Sequence, residues 1–177
     1  MNIKSSQRGV GLVEVLVAVL LLSVAVLGFS ALQLRAISAT DESLVRTQAM
    51  SVIRGLSENM RSNSLQLDTY EDAVNDPVTT EPTIGVGSCL SLADSCTDVQ
   101  IAAKEAKIAV NKLKGYGIEA KMVTCPGTAT VSFSEVKCII AAWGDTKPLL
   151  SNSDDKACAT ESGIYKSGST CSIIEAY

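Results

Sequence analysis

The feature that most limits this chain is an apolar run near its amino end. From Val10 to Leu34 there is a single charged side chain, Glu14. As a helix these 25 residues would extend roughly 38 Å at about 1.5 Å per residue. A bilayer's hydrocarbon layer is about 30 Å thick, so the run is long enough to span it with some tilt. An ordinary secretory signal has an apolar core of only about 7–15 residues, and a small-residue cleavage site ends it. The basic residues Lys4 and Arg8 stand just before the run. By the positive-inside rule they place the amino end in the cytoplasm and everything after Leu34 outside.

The cysteines give the same orientation by a separate route. All six fall between Cys89 and Cys171, beyond the apolar run, as expected of a domain that matures in an oxidising compartment. They occur as Cys89/Cys96, Cys125/Cys138 and Cys158/Cys171. Short loops favour pairing in sequence order, although six cysteines allow 15 connectivities. A metal site is the rival reading. It lacks both a C-x-x-C spacing and any histidine to support it.

Histidine is absent altogether, which removes the commonest general base and the Ser/His and Cys/His nucleophile pairs. The acidic pairs Asp41/Glu42 and Asp154/Asp155 read as solvated surface, so neither an enzyme nor a cofactor is expected. The net charge is −4. Without Lys4 and Arg8 it would be about −6, with 13 basic side chains against 19 acidic ones. An acidic domain of this kind is poorly suited to grip nucleic acid through its phosphates.

Glu14 needs a separate explanation. A carboxylate among lipid tails costs on the order of a few kcal/mol, less near the interface, and such residues are functional candidates by default. If the chain were cut after Gly9, Val10 would acquire a cationic amine one helical turn from Glu14. Among staggered parallel helices, the amine of one subunit could meet the Glu14 of its neighbour, which would neutralise two buried charges and set the register.

Gln7-Arg8-Gly9 followed by Val10-Gly11-Leu12-Val13-Glu14-Val15-Leu16 resembles the class III signal of type IV prepilins. That family has a short basic leader, a glycine before the cut, an apolar N-methylated first residue and a glutamate at the fifth mature position. These features map onto Lys4/Arg8, Gly9, Val10 and Glu14. Val10 stands where phenylalanine is usual and Gly11 where threonine or serine is usual, departures more frequent among minor pilins. The resemblance implies cleavage between Gly9 and Val10 by the prepilin peptidase and N-methylation of Val10. Further on, Arg46-Thr47-Gln48-Ala49 and Leu56-Ser57-Glu58-Asn59-Met60-Arg61-Ser62-Asn63 resemble the corresponding stretch of PilV-type minor pilins, with Asn59 where an arginine is common.

Helical periodicity continues through Leu34, Ile37, Leu44, Val45, Ala49, Val52, Ile53, Leu56 and Met60, and no proline occurs before Pro77. One helix of about 55 residues is expected, with an amphipathic outer half. Its weak points are Gly28 and Gly55, each costing up to about 1 kcal/mol against alanine. Residues 64–97, with Asn75-Asp76-Pro77, Pro82, Gly85 and Gly87, read as a long surface connection. Thr97-Asp98 opens a second helix that stops near Gly115. Strands are expected at Ile118–Thr124, Val136–Trp143 and Cys171–Tyr177, with a turn at Pro126-Gly127.

The expected fold is α+β and type IV pilin-like, with a long N-terminal helix laid on a small antiparallel sheet and disulfide-bonded. Its expected divisions are a leader (1–9), a transmembrane and filament-core segment (10–34), an amphipathic half-helix (35–64) and a globular domain (65–177). The resemblance implies a minor pilin of the inner membrane and then of the pilus tip. Its implied partners are other minor and major pilins, the prepilin peptidase, the inner-membrane assembly platform and, before assembly, membrane lipid. Its implied roles are pilus initiation, twitching motility, and adhesion or DNA uptake. The alternative is a minor pseudopilin of a type II secretion system. A tip adhesin would use the loop Tyr165-Lys166-Ser167-Gly168, which more simply reads as an exposed turn.

Overall fold

In the computed structural model the described residues are 9, 11–76, 89, 95–128 and 135–176. The chain divides into two units, Met1–Ser43 and Leu44–Tyr177. Helix α1 covers Leu12–Ser62 without a break, as an apolar sequence lacking proline allows. In the first unit every described side chain of α1 is exposed. The hydroxyls of Ser23, Ser30, Ser38 and Thr40 donate to the carbonyls of Val19, Val26, Leu34 and Ala36 at 2.7, 2.9, 3.0 and 2.9 Å. Each of these four hydroxyls is thus satisfied by its own helix, which lowers the cost of placing it in an apolar medium.

In the second unit α1 changes character. Ala49, Val52, Ile53, Leu56 and Met60 are buried at three- and four-residue steps, the spacing that lines one helical face. Ser57 lies among them and donates to Ile53 O at 2.9 Å. This face joins a core shared with two further helices and the sheet.

The first of those helices corrects the sequence reading. Residues 64–75 are not a surface connection: a 3₁₀ turn (Ser64–Gln66) leads into α2, Leu67–Asn75. Tyr70, Ala73 and Val74 sit three and four apart and are 0%, 2% and 2% exposed, so burial of one narrow stripe overrides a polar composition. Pro77, Pro82, Gly85 and Gly87 lie outside the described residues.

Helix α3, Asp98–Gly115, begins at the expected cap. Thr97 Oγ1 accepts from Gln100 N at 3.3 Å while Gln100 Oε1 accepts from Thr97 N at 2.9 Å, a reciprocal capping box. Thr97→Ala is therefore expected to lower stability by about 1 kcal/mol, measurable as a shift in the denaturant midpoint at unchanged slope. Alanines 102, 103, 106 and 109 line its buried face with Val110 and Leu113. The helix stops through Gly117 rather than Gly115. Gly117 has φ +71° and donates to Lys114 O at 3.0 Å, a left-handed position that glycine takes without strain.

The main sheet is antiparallel in the order β1-β2-β5, with β1 Ile118–Thr124, β2 Lys137–Trp143 and β5 Cys171–Glu175. Registers run Ile118↔Trp143 to Thr124↔Lys137 and Cys138↔Glu175 to Ala142↔Cys171. The three expected strands are present to within a residue or two. Strand alternation puts Ile118, Met122, Ile139, Ala141 and Trp143 into the helix-side core. Ile140, Ala142 and Cys171 face the other way, against Cys158, Val123, Leu150 and Ile173. A short parallel pair not expected from sequence, β3 (Lys147–Leu150) and β4 (Ala157–Ala159), contributes to that second layer.

Candidate functional site

The residues singled out at the amino end form a continuous stretch of sequence rather than a pocket. Gly9 is exposed, and Val10 lies outside the described residues. Gly11 accepts from the backbone N–H groups of Glu14 and Val15 at 3.0 and 3.3 Å, opening α1. Glu14 therefore stands in the first turn, where unbonded N–H groups and the helix dipole favour a carboxylate. Its side chain is exposed and makes no hydrogen bond or ion pair among the described residues. The hydroxyls on the same stretch bond to their own backbone. Between Leu12 and Leu34 Glu14 is the one charged side chain of the helix, and among the described residues no cation stands against it. From Leu12 onward the helix is long and apolar enough to cross a membrane.

The second stretch, Leu56–Asn63, separates into buried and exposed roles. Leu56 and Met60 are 3% and 0% exposed and belong to the core. Glu58 and Arg61 form an exposed pair at 2.8 Å, which contributes little to stability at such a site. Asn63 ends the helix and its amide donates to Asp98 O at 2.9 Å, holding the end of α1 to the start of α3.

Nearby, the Tyr70 hydroxyl on α2 donates to Glu105 on α3. Burial, followed by the Glu105 carboxylate, pushes the phenol well above its ordinary range, so Tyr70 remains a neutral donor at any physiological pH. Lys137 at the start of β2 bonds Glu71 of α2 at 2.7 Å and Glu135 at 3.0 Å. Burial alone would lower its pKa, but the two carboxylates together raise it. Helix α2 is thus pinned by polar contacts to both α3 and the sheet. Sequence reasoning missed these contacts together with the helix; Tyr70, Ala73 and Val74 at helical spacing were the available signal.

Three disulfides are present: Cys89–Cys96, Cys125–Cys138 and Cys158–Cys171, with Cα separations of 5.9, 5.0 and 5.8 Å. The second joins the end of β1 to β2, and the third joins β4 to β5. Closing loops of this size adds about 2–4 kcal/mol each.

Comparison with known proteins divides the chain where its chemistry divides. Residues 4–30 match the prokaryotic N-terminal methylation motif, and residues 31–106 match the family described as type IV pilin Tt1218. No curated protein and no solved structure matches the chain. The first match covers the basic flank, Gly9, Val10 and Glu14. The second runs from the outer half of α1 through α2 into α3, the segment whose buried stripe carries the fold. A methylation motif before an unbroken apolar helix, and a type IV pilin match running on from it into an α+β domain held by three disulfides, support a type IV pilin.

Proposed function

We propose that this pilin is a minor subunit of the PilV type, acting in the initiation or tip complex of a type IV pilus and through it in twitching motility. The observation that carries the reading is Glu14, a carboxylate with no partner among the described residues, placed in the first turn of a helix that is otherwise uncharged as far as Leu34. Cleavage between Gly9 and Val10 would create the amine it lacks, and N-methylation of Val10 would retain the positive charge. Pairing between subunits then lets the helix leave lipid for a filament without a bare buried charge.

On this reading residues 1–9 are the leader and 10–34 the membrane and filament-core segment. Residues 35–64 form the amphipathic half-helix and 65–177 the domain exposed to the periplasm and then to the cell exterior. The amino end faces the cytoplasm, as Lys4 and Arg8 favour. The partners are other pilins, the prepilin peptidase and the inner-membrane assembly platform. The minor-subunit assignment is supported by Val10 and Gly11 and by the stretch ending at Asn63, whose buried Met60 and bridging Asn63 give it a structural role.

Deletion of the gene tests this directly. Surface pili, counted by electron microscopy or in sheared fractions, are expected to be lost or strongly reduced and restored by complementation. Unchanged piliation with loss of protein secretion would instead assign the chain to a type II secretion pseudopilus.

A further inference from the structure

The two edges of the three-stranded sheet are closed differently. On β1 the outward backbone groups belong to even-numbered residues. Both groups of Met122 are taken by the side-chain amide of Asn75: Asn75 Nδ2 donates to Met122 O, and Met122 N donates to Asn75 Oδ1, each at 2.9 Å. Helix α2 therefore covers that edge and pairs with it as a strand would. On β5 the backbone of Ala176 turns inward, donating to Lys137 O at 2.8 Å. Alternation then directs the backbone groups of Cys171, Ile173 and Glu175 outward.

Among the described residues one side chain answers them. Ile173 N donates to the hydroxyl of Tyr165 at 2.9 Å, the phenol standing where a neighbouring strand would place a carbonyl. Ile173 O and both backbone groups of Glu175 make no hydrogen bond among the described residues. The strand carries no proline, lysine or bulge of the kind that blunts an edge. Beside it, Ile164 is 67% and Tyr165 50% exposed, so apolar surface adjoins the open ladder. The Glu175 side chain, exposed at the strand's end, has no cationic partner among the described residues.

We propose that the outer edge of β5 is a strand-acceptor site: an extended segment of a partner protein pairs with Ile173 and Glu175, displacing the Tyr165 hydroxyl. Backbone pairing supplies the affinity, as in other strand additions. The fitting segment carries apolar side chains to cover Ile164 and Tyr165 and a basic one opposite or diagonal to Glu175. This goes beyond the assembly role argued from Glu14 and does not depend on it.

The test uses the full-length chain, isotopically labelled, in detergent micelles. The probe is a synthetic peptide with the sequence of Lys137–Trp143 and serine in place of Cys138, a strand that already pairs with the other side of β5. The control is the same peptide with two residues replaced by proline. At millimolar peptide the amide resonances of Ile173 and Glu175 are expected to shift while that of Met122 stays in place. Exchange of the Ile173 amide should slow by about tenfold or more. Tyr165→Phe keeps the ring but removes the occupant. It should tighten peptide binding about two- to tenfold, the range one net hydrogen bond spans, with the central-strand amides of Ile139 and Ile140 still protected. Absence of shifts at Ile173 and Glu175 in the wild-type chain, or equal shifts with the proline control, overturns the proposal.

Discussion

A Glu14→Ala chain is expected to insert, to be cleaved and to fold, yet to fall at least about tenfold in sheared pili relative to the membrane fraction. The substitution makes the apolar run more apolar, so membrane insertion is not impaired. The folded unit beginning at Leu44 contains no atom of Glu14, so its stability should not move. On the proposed pairing, what changes is the partner of the Val10 amine in the assembled bundle. Removing one member of a buried ion pair costs about 3–5 kcal/mol, and each 1.4 kcal/mol is about a factor of ten in an equilibrium. Glu14→Gln keeps the size and hydrogen-bonding capacity but loses the charge, so it should fail nearly as severely. Normal incorporation of both variants would remove the register role from Glu14.

The largest effect on stability is expected at Met60. It is 0% exposed and shares one core with Ile53, Tyr70, Leu113 and Met122, where the end of α1, both shorter helices and the sheet meet. Truncating a fully buried methionine to alanine typically costs about 2–5 kcal/mol, a large part of the stability of a domain this size. Met60→Leu conserves most of the volume and should cost less than about 1.5 kcal/mol. Arg61→Ala, one residue away on the exposed face with its 2.8 Å pair to Glu58, should change stability by no more than about 1 kcal/mol. Denaturant unfolding of the three variants in detergent checks the ordering. A Met60→Ala loss no larger than that of Arg61→Ala would show that α1 is not part of the core.

What could be read from the sequence, and what could not, follows from how each signal is written. The apolar run, the uninterrupted helix and the stripe from Ala49 to Met60 are properties of consecutive residues, so periodicity carries them. The Thr97 cap and the Pro126-Gly127 turn are local chemistry; Gly127 has φ +81° in that turn. Helix α2 was hidden because Leu67–Asn75 contains five polar or acidic residues among nine, and its helical state is secured by partners far along the chain. Asn75 bonds Met122, Tyr70 bonds Glu105 and Glu71 bonds Lys137. The strands β3 and β4 are four and three residues long, too short for alternation to mark them, and pair only because the fold brings them together.

The amino-terminal site was legible for the opposite reason. Gly9, Val10 and Glu14 lie within one short stretch of sequence, and the partner proposed for Glu14 would be made by a cut rather than by a fold. The edge of β5 was illegible because an unpaired backbone edge leaves no mark in residue identity.

The proposed cleavage breaks a peptide bond to give Glu14 its partner. Its most direct test is the mass and amino-terminal sequence of the chain expressed together with its prepilin peptidase. The expected product has lost the nine residues Met1–Gly9 and begins with N-methylated Val10. A mature chain beginning at any other residue, or one retaining Met1–Gly9 in the presence of active peptidase, would contradict it.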